Sequence, residues 1–173
     1  MNATALVQLQ LDHNAWATRQ IIDAAKPLPA GALDADLGIG PGSLRATIAH
    51  VIEVMFFFAA NFAGSQYQEP ADFAAKSTSL AGLTELLERA AQELNRSMLA
   101  FVDAAGAGAS VLWPTSERGT LPAFAAIAQV FDHGSHHRAQ CKNMLKRLGV
   151  ADLPETDPLS MEDLKRARAS AHA

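Results

Sequence analysis

Histidine is the residue type best suited to bind a metal ion in this 173-residue chain, which has six histidines and a single cysteine. Cys141 alone can form neither a disulfide framework nor a zinc site built on cysteine pairs. His133 and His137 are four residues apart, and at that spacing two helical side chains have Cβ atoms about 5–6 Å apart on one face. This separation suits two ligands of one metal ion, as in helical zinc motifs.

A third ligand must come from another segment, and His50 is the candidate. It lies midway along the most apolar stretch of the chain, on a helical face that it shares with Ala46, Val54 and Phe57. Three neutral imidazoles would leave a fourth position open, as in catalytic sites for zinc or a similar divalent ion. The alternative is three core histidines, each hydrogen-bonded to a carbonyl or carboxylate group, and the spacing leaves both interpretations open.

Two further residues are candidates for moving protons at such a site. Glu53 is the one charged residue in the apolar run of residues 47–63, one helical turn from His50. It could act as a general base, bind as a fourth ligand, accept a hydrogen bond from a ligand or reach solvent. His13 belongs to the first predicted helix, where it could line the same cavity or lie at the surface. His136 falls on the polar flank, away from its two histidine neighbours.

The hydrophobic pattern predicts four long helices that would position these residues. Ser43 is predicted to cap the second helix. Thr120 is predicted to cap the fourth, with Leu121 and Pro122 in its first turn, although a short hairpin around Val111 and Thr120 is weakly indicated. Four striped helices without a convincing strand pattern predict an all-α four-helix bundle. The helices span about residues 3–26, 43–64, 79–106 and 120–149.

The length of the chain favours a single domain. Gly149 is a good C-cap residue for the fourth helix. Beyond it come Pro154 and Pro158, and then a short polar helix over about residues 160–170. We therefore predict one bundle domain over residues 1–159 and a C-terminal tail with a short helix over residues 160–173.

Charge and hydropathy argue against nucleic-acid and membrane partners. The net charge is −4 and the pI about 5.8, whereas a nucleic-acid binder usually has a basic excess. The apolar run is slightly short for a membrane span and contains His50, Glu53 and Asn61, which favours a buried central helix. Without a secretory signal pattern and with one cysteine, a cytoplasmic location is expected.

Three stretches of the sequence resemble the DinB-like (DinB/YfiT) superfamily of metal-binding four-helix bundles. They are residues 14–18 in the first helix, 42–50 at the start of the second and 131–140 in the fourth, the last with a His-x-x-x-His-Arg-x-Gln pattern. The resemblance extends to about residue 159. It implies an up-down-down-up bundle, frequently a homodimer, in which His50, His133 and His137 bind the metal. His13 stands where many members have an aromatic residue, typically tyrosine.

The resemblance also implies a metal-dependent hydrolase or, as in a related branch, a transferase that uses a low-molecular-weight thiol. An enzyme of either kind would bind a small-molecule substrate between the helices, and Glu53 or His13 would move protons. The competing hypothesis is a non-catalytic module in which the metal stabilises the bundle or serves a stress response. Zinc, nickel and iron(II) all accept imidazole ligands, so the sequence leaves the identity of the metal open.

Overall fold

The computed structural model describes residues 3–29, 31–105, 109–113 and 119–171. Within these ranges the protein is mostly helical, and the predicted all-α bundle is confirmed. Its four long helices are α1 (Ala3–Ala25), α2 (Leu44–Phe62), α4 (Leu80–Ala104) and α5 (Ala123–Arg147). The smaller elements are a 3₁₀ turn (Ala32–Asp34), the single-turn α3 (Phe73–Lys76), the strands β1 (Ser110–Leu112) and β2 (Thr120–Pro122), and the C-terminal α6 (Pro158–Ala171).

The four long helices pack so that α1 and α2 each contact both α4 and α5. The order around the bundle is therefore α1, α4, α2 and α5. Its core contains fully buried aliphatic side chains from all four helices, such as Ile21, Ile52, Leu86 and Leu145. This arrangement places α2 directly beside α5, the two helices that carry the candidate ligands.

Helix α2 is held in the bundle interior from its first residue. The Ser43 side chain accepts a hydrogen bond from the Ala46 N–H at 3.2 Å, which confirms the predicted N-cap. By length and composition α2 is able to cross a membrane, but 56% of its most apolar window is buried among the other helices. It therefore has the burial of a core helix, as its polar residues indicated.

The predicted start of the fourth helix at Thr120 is wrong. Thr120 lies in β2, which pairs antiparallel with β1 and places Val111 opposite Leu121, so the weakly indicated hairpin is confirmed. Helix α5 begins only at Ala123, after Pro122. Strand pairing competes with helix formation at this point. The hydrogen bonds between β1 and β2 are followed by one from the Ala123 N–H to the Ala109 carbonyl at 2.9 Å. A helix that began at Thr120 would break this pairing.

The far end of α5 follows the prediction. Gly149 has φ +90°, and the Val150 N–H bonds the Leu145 carbonyl at 3.0 Å. This is the closing bond of a Schellman turn, which favours glycine. The following segment returns to the bundle, where Met161 of α6 is 2% exposed and α6 contacts α1.

Candidate metal centre

The structure brings His50, His133 and His137 together between α2 and α5. One nitrogen from each lies within 4.8 Å of the others. The two rings on α5 have centroids 4.4 Å apart, and the His50 ring contacts both edge-on at 5.0 and 4.7 Å. The three side chains that the sequence offered as candidate ligands therefore lie together in the structure.

The donor set fits a single divalent ion. The His50 and His133 Nε2 atoms are 3.1 Å apart, and two nitrogens bound tetrahedrally at about 2.0–2.1 Å from zinc would be about 3.3 Å apart. Among the described residues, the group of candidate ligands contains no carboxylate and no thiolate. Glu53 is therefore outside this group, and three imidazoles would leave positions for water or substrate.

All three imidazoles favour the neutral form that binds metals. Burial lowers the pKa of His133 to about 4, helped by His137 and His50. Burial also lowers the pKa of His50 and that of His137, where the bond to Gln140 opposes it. Because a metal ion competes with protons for these nitrogens, the centre is ready to bind at neutral pH.

We expect the stability of the metal-free protein to fall as the pH drops from about 6.5 to about 4. His133 has an ordinary pKa of 6.5 and a folded pKa of about 4, so the unfolded chain binds more protons in this window. The stabilisation is complete above pH 6.5 and is lost as the pH falls through the folded value. The urea concentration at the unfolding midpoint, determined at each pH in the presence of a chelator, measures this loss of stability.

His133→Leu is the reference variant for this titration, because it retains every carboxylate that also titrates at low pH. The wild-type midpoint should fall more steeply with decreasing pH than that of the variant. Parallel slopes in the two proteins would show that His133 does not contribute.

Glu53 lies half-buried on α2, one turn beyond His50, and its neighbour is Tyr67. Burial raises the pKa of Tyr67 to about 12, and the carboxylates of Glu53 and Glu69 add to this shift. The Tyr67 hydroxyl is buried, and its interaction with the Glu53 side chain also raises its pKa. Tyr67 is therefore a protonated donor beside Glu53. Sequence periodicity missed it because Tyr67 follows α2 in a loop.

His13 is buried at 7% exposure, so the surface alternative is wrong. Its Nε2 donates to the Thr156 carbonyl at 2.8 Å, and burial lowers its pKa. It does not belong to the group of three candidate ligands. The structure thus places His13 at the contact between α1 and the C-terminal segment.

Arg138 directly follows the candidate ligand His137, and its burial was not predicted from the sequence. It is only 4% exposed. Its guanidinium group donates to Asn14 Oδ1 on α1 and to Ser135 Oγ at 3.2 Å, and burial lowers its pKa to about 10. The sequence did contain a pattern that indicates this burial. Arg138 lies four residues after Gly134 and three before Cys141, which are also buried, and this is the spacing of residues on one buried helix face. The three residues define a second buried face of α5.

The bundle also has a cavity of about 750 Å³ near the C-terminal end of α2. Its walls include Phe56, Phe62, Tyr67 and Phe101, and none of the three histidines lines it. Tyr67 is the residue that connects the wall of this cavity with the surroundings of Glu53. The cavity is therefore separate from the candidate metal centre.

The family model of the DinB family matches residues 1–168, nearly the whole chain. Searches of curated proteins and of solved structures found no match.

Proposed function

Since the chain belongs to the DinB family, we propose that it is a divalent-metal-dependent hydrolase of a small molecule, with His50, His133 and His137 as the metal ligands. The observation that carries the proposal is a group of three nitrogen donors within 4.8 Å that includes no carboxylate or thiolate from the described residues. Catalytic zinc sites have three protein ligands and one open position, whereas structural zinc sites have four protein ligands.

The protein side chains have separate roles in this proposal. A divalent ion would supply Lewis acidity at the three nitrogens. Glu53, half-buried and one turn from His50, accepts the proton of the attacking water. Tyr67, whose raised pKa of about 12 keeps it protonated, holds the Glu53 carboxylate in position. His13 already donates to the Thr156 carbonyl, so we assign the proton transfer to Glu53.

Thiol transfer is the second candidate, and one observation bears on it. Cys141, the single cysteine, is buried, and burial raises its pKa to about 12. Because the thiolate is the reactive form, a thiol used by this protein would arrive with a substrate. Hydrolysis and transfer then differ in whether the reaction requires an added thiol.

Reconstitution tests the proposed function. Protein purified without a nickel column is stripped with chelator and loaded separately with zinc, nickel or iron(II). It is then assayed on a panel of esters and amides, with and without a low-molecular-weight thiol. We expect thiol-independent hydrolysis that chelator abolishes. Turnover only with added thiol would favour the transferase, and rates unaffected by chelator would contradict both.

We expect Glu53→Gln to lower kcat about 10²–10⁴-fold, the usual contribution of a general base, and to leave the metal content unchanged. The matched control is Glu69→Gln, which also removes a carboxylate near Tyr67 but not one on α2. Steady-state kinetics and metal analysis on both variants make the comparison. Equal kcat values for the two variants would remove Glu53 from the mechanism.

A further inference from the structure

Gln140 occupies a position between two histidines of α5. Its Oε1 accepts a hydrogen bond from His137 Nδ1 at 2.8 Å, and its Nε2 donates to His136 Nε2 at 3.0 Å. Since an amide nitrogen can only donate and an amide oxygen can only accept, the orientation of the Gln140 amide sets the tautomers of both histidines. It requires the His137 proton on Nδ1 and leaves the His137 Nε2 free as an acceptor.

The same glutamine is in close contact with the turn that precedes α2. Gly40 has φ +50°, and a Cβ atom on it would lie 2.3 Å from Gln140 Oε1 and 3.0 Å from Gln140 Cδ. Only a residue without a side chain allows this approach. The backbone of Gly40 therefore bounds the space in which the Gln140 amide can move.

This turn is itself fixed in place. The Leu37 N–H bonds the Gly42 carbonyl at 2.8 Å, and the Gly42 N–H bonds the Ile39 carbonyl at 2.9 Å. Arg147, two turns beyond Gln140 on α5, donates to the Leu37 carbonyl at 3.2 Å. The turn over residues 37–42 is thus connected to α5 at two levels, by the Arg147 bond and by the contact with Gln140.

We propose that Gln140 and the turn at Gly40 act together as a positioning element for His137. The contact with Gly40 holds Gln140 Oε1 against His137 Nδ1, and this bond keeps His137 in the tautomer whose unprotonated Nε2 is able to bind a metal ion. The inference rests on the proposed metal site for its functional meaning, but the tautomer itself is a property of the chain. Loss of such partners of ligand histidines typically lowers metal affinity about 10–100-fold.

Gly40→Ala and Gly38→Ala form a matched pair for testing this proposal. Both glycines have positive φ, +50° and +64°, so both substitutions strain the backbone. Only the Gly40 substitution meets Gln140, whereas a Cβ on Gly38 has no atom within 4 Å among the described residues. We expect zinc affinity, measured by chelator competition, to fall about 10–100-fold in Gly40→Ala and to stay within threefold in Gly38→Ala.

Gln140→Leu provides a second route if Gly40→Ala fails to fold, as judged by circular dichroism. It should weaken zinc binding to the same degree as Gly40→Ala, and the double variant should show no additional loss. Equal zinc affinities for wild type, Gly40→Ala and Gln140→Leu would overturn the proposal, and so would equal losses in the Gly40 and Gly38 variants.

Nitrogen-15 NMR of the histidine side chains separates this inference from the proposed function. In the metal-free wild type, His137 should be protonated on Nδ1, and Gly40→Ala and Gln140→Leu should show a mixture of tautomers. If the wild type binds no metal but its tautomer depends on Gly40, the proposed function fails and the positioning role stands. If zinc binds and the tautomer is the same in all variants, the positioning role fails alone.

Discussion

Replacing His50, His133 or His137 with alanine is expected to lower the affinity for a divalent metal more than about 100-fold. Each residue supplies one of three nitrogens within 4.8 Å of one another. The loss of an outer partner of a ligand already costs about 10–100-fold, so removing the ligand itself should cost more. Competition with a chromophoric chelator measures the affinity of protein purified without a nickel column.

His136→Ala is the matched control for these variants. His136 is exposed on α5 and does not belong to the group of three candidate ligands. Its ring lies edge-on to that of His137, with centroids 5.0 Å apart, and its Nε2 accepts a bond from the Gln140 amide. The control should lose far less metal affinity than any of the three ligand variants, because it removes no candidate ligand nitrogen and Gln140 keeps its bond to His137. If the triple variant of the three ligands still carried wild-type metal content, the metal would be bound elsewhere and the proposed centre would be wrong.

The three histidines were predictable because the relevant information is local to two helices. His133 and His137 share a face by the helical repeat, and His50 is a polar residue in the middle of an apolar helix. Two such faces in one bundle point toward a common interior. The caps at Ser43 and Gly149 were predictable for the same reason, since a cap depends on residues within one turn.

The surroundings of the site depend on contacts between distant segments, and local patterns do not record these. Tyr67 reaches Glu53 from a loop, and Gly40 meets Gln140 across one hundred positions of sequence. Thr120 shows the same limit. Its side chain is a good helix cap, but strand pairing with Leu112 determines its conformation. In each case a tertiary contact decides what the residue does.

Gly134→Ala is expected to destabilise the protein by about 2–4 kcal/mol, although alanine is the better helix former by about 1 kcal/mol. A Cβ atom on Gly134 would lie 2.2 Å from Asn14 Oδ1 and 2.7 Å from Arg138 Nη1, the two atoms of a buried hydrogen bond between α1 and α5. Overpacking costs about 1–3 kcal/mol, and loss of a bond to a charged group about 1.5–3 kcal/mol. Urea unfolding in chelator measures the difference.

Ala139→Gly on the same helix measures the difference in helix propensity between alanine and glycine alone, because Ala139 is exposed. That change should lower the free energy of unfolding by about 1 kcal/mol. Gly134→Ala and Ala139→Gly are opposite changes of residue type, yet both should destabilise the protein. Greater stability in Gly134→Ala would show that α1 and α5 are not in close contact there.

An Asn14→Ala background identifies the atom responsible. Asn14 Oδ1 is the nearest obstacle to a Cβ on residue 134, and the remaining one, Arg138 Nη1, is the end of a flexible side chain. Removing Asn14 is itself costly, because it leaves a buried guanidinium group with Ser135 as its remaining side-chain partner among the described residues. In the Asn14→Ala background, Gly134→Ala should add little further loss of stability, and the double variant should be more stable than the sum of the two single effects predicts.

Additive effects would place the strain of Gly134→Ala elsewhere in the helix. Non-additive effects would show that the absence of a side chain at Gly134 permits the close approach of α1 and α5, which buries Arg138 directly beside the candidate ligand His137.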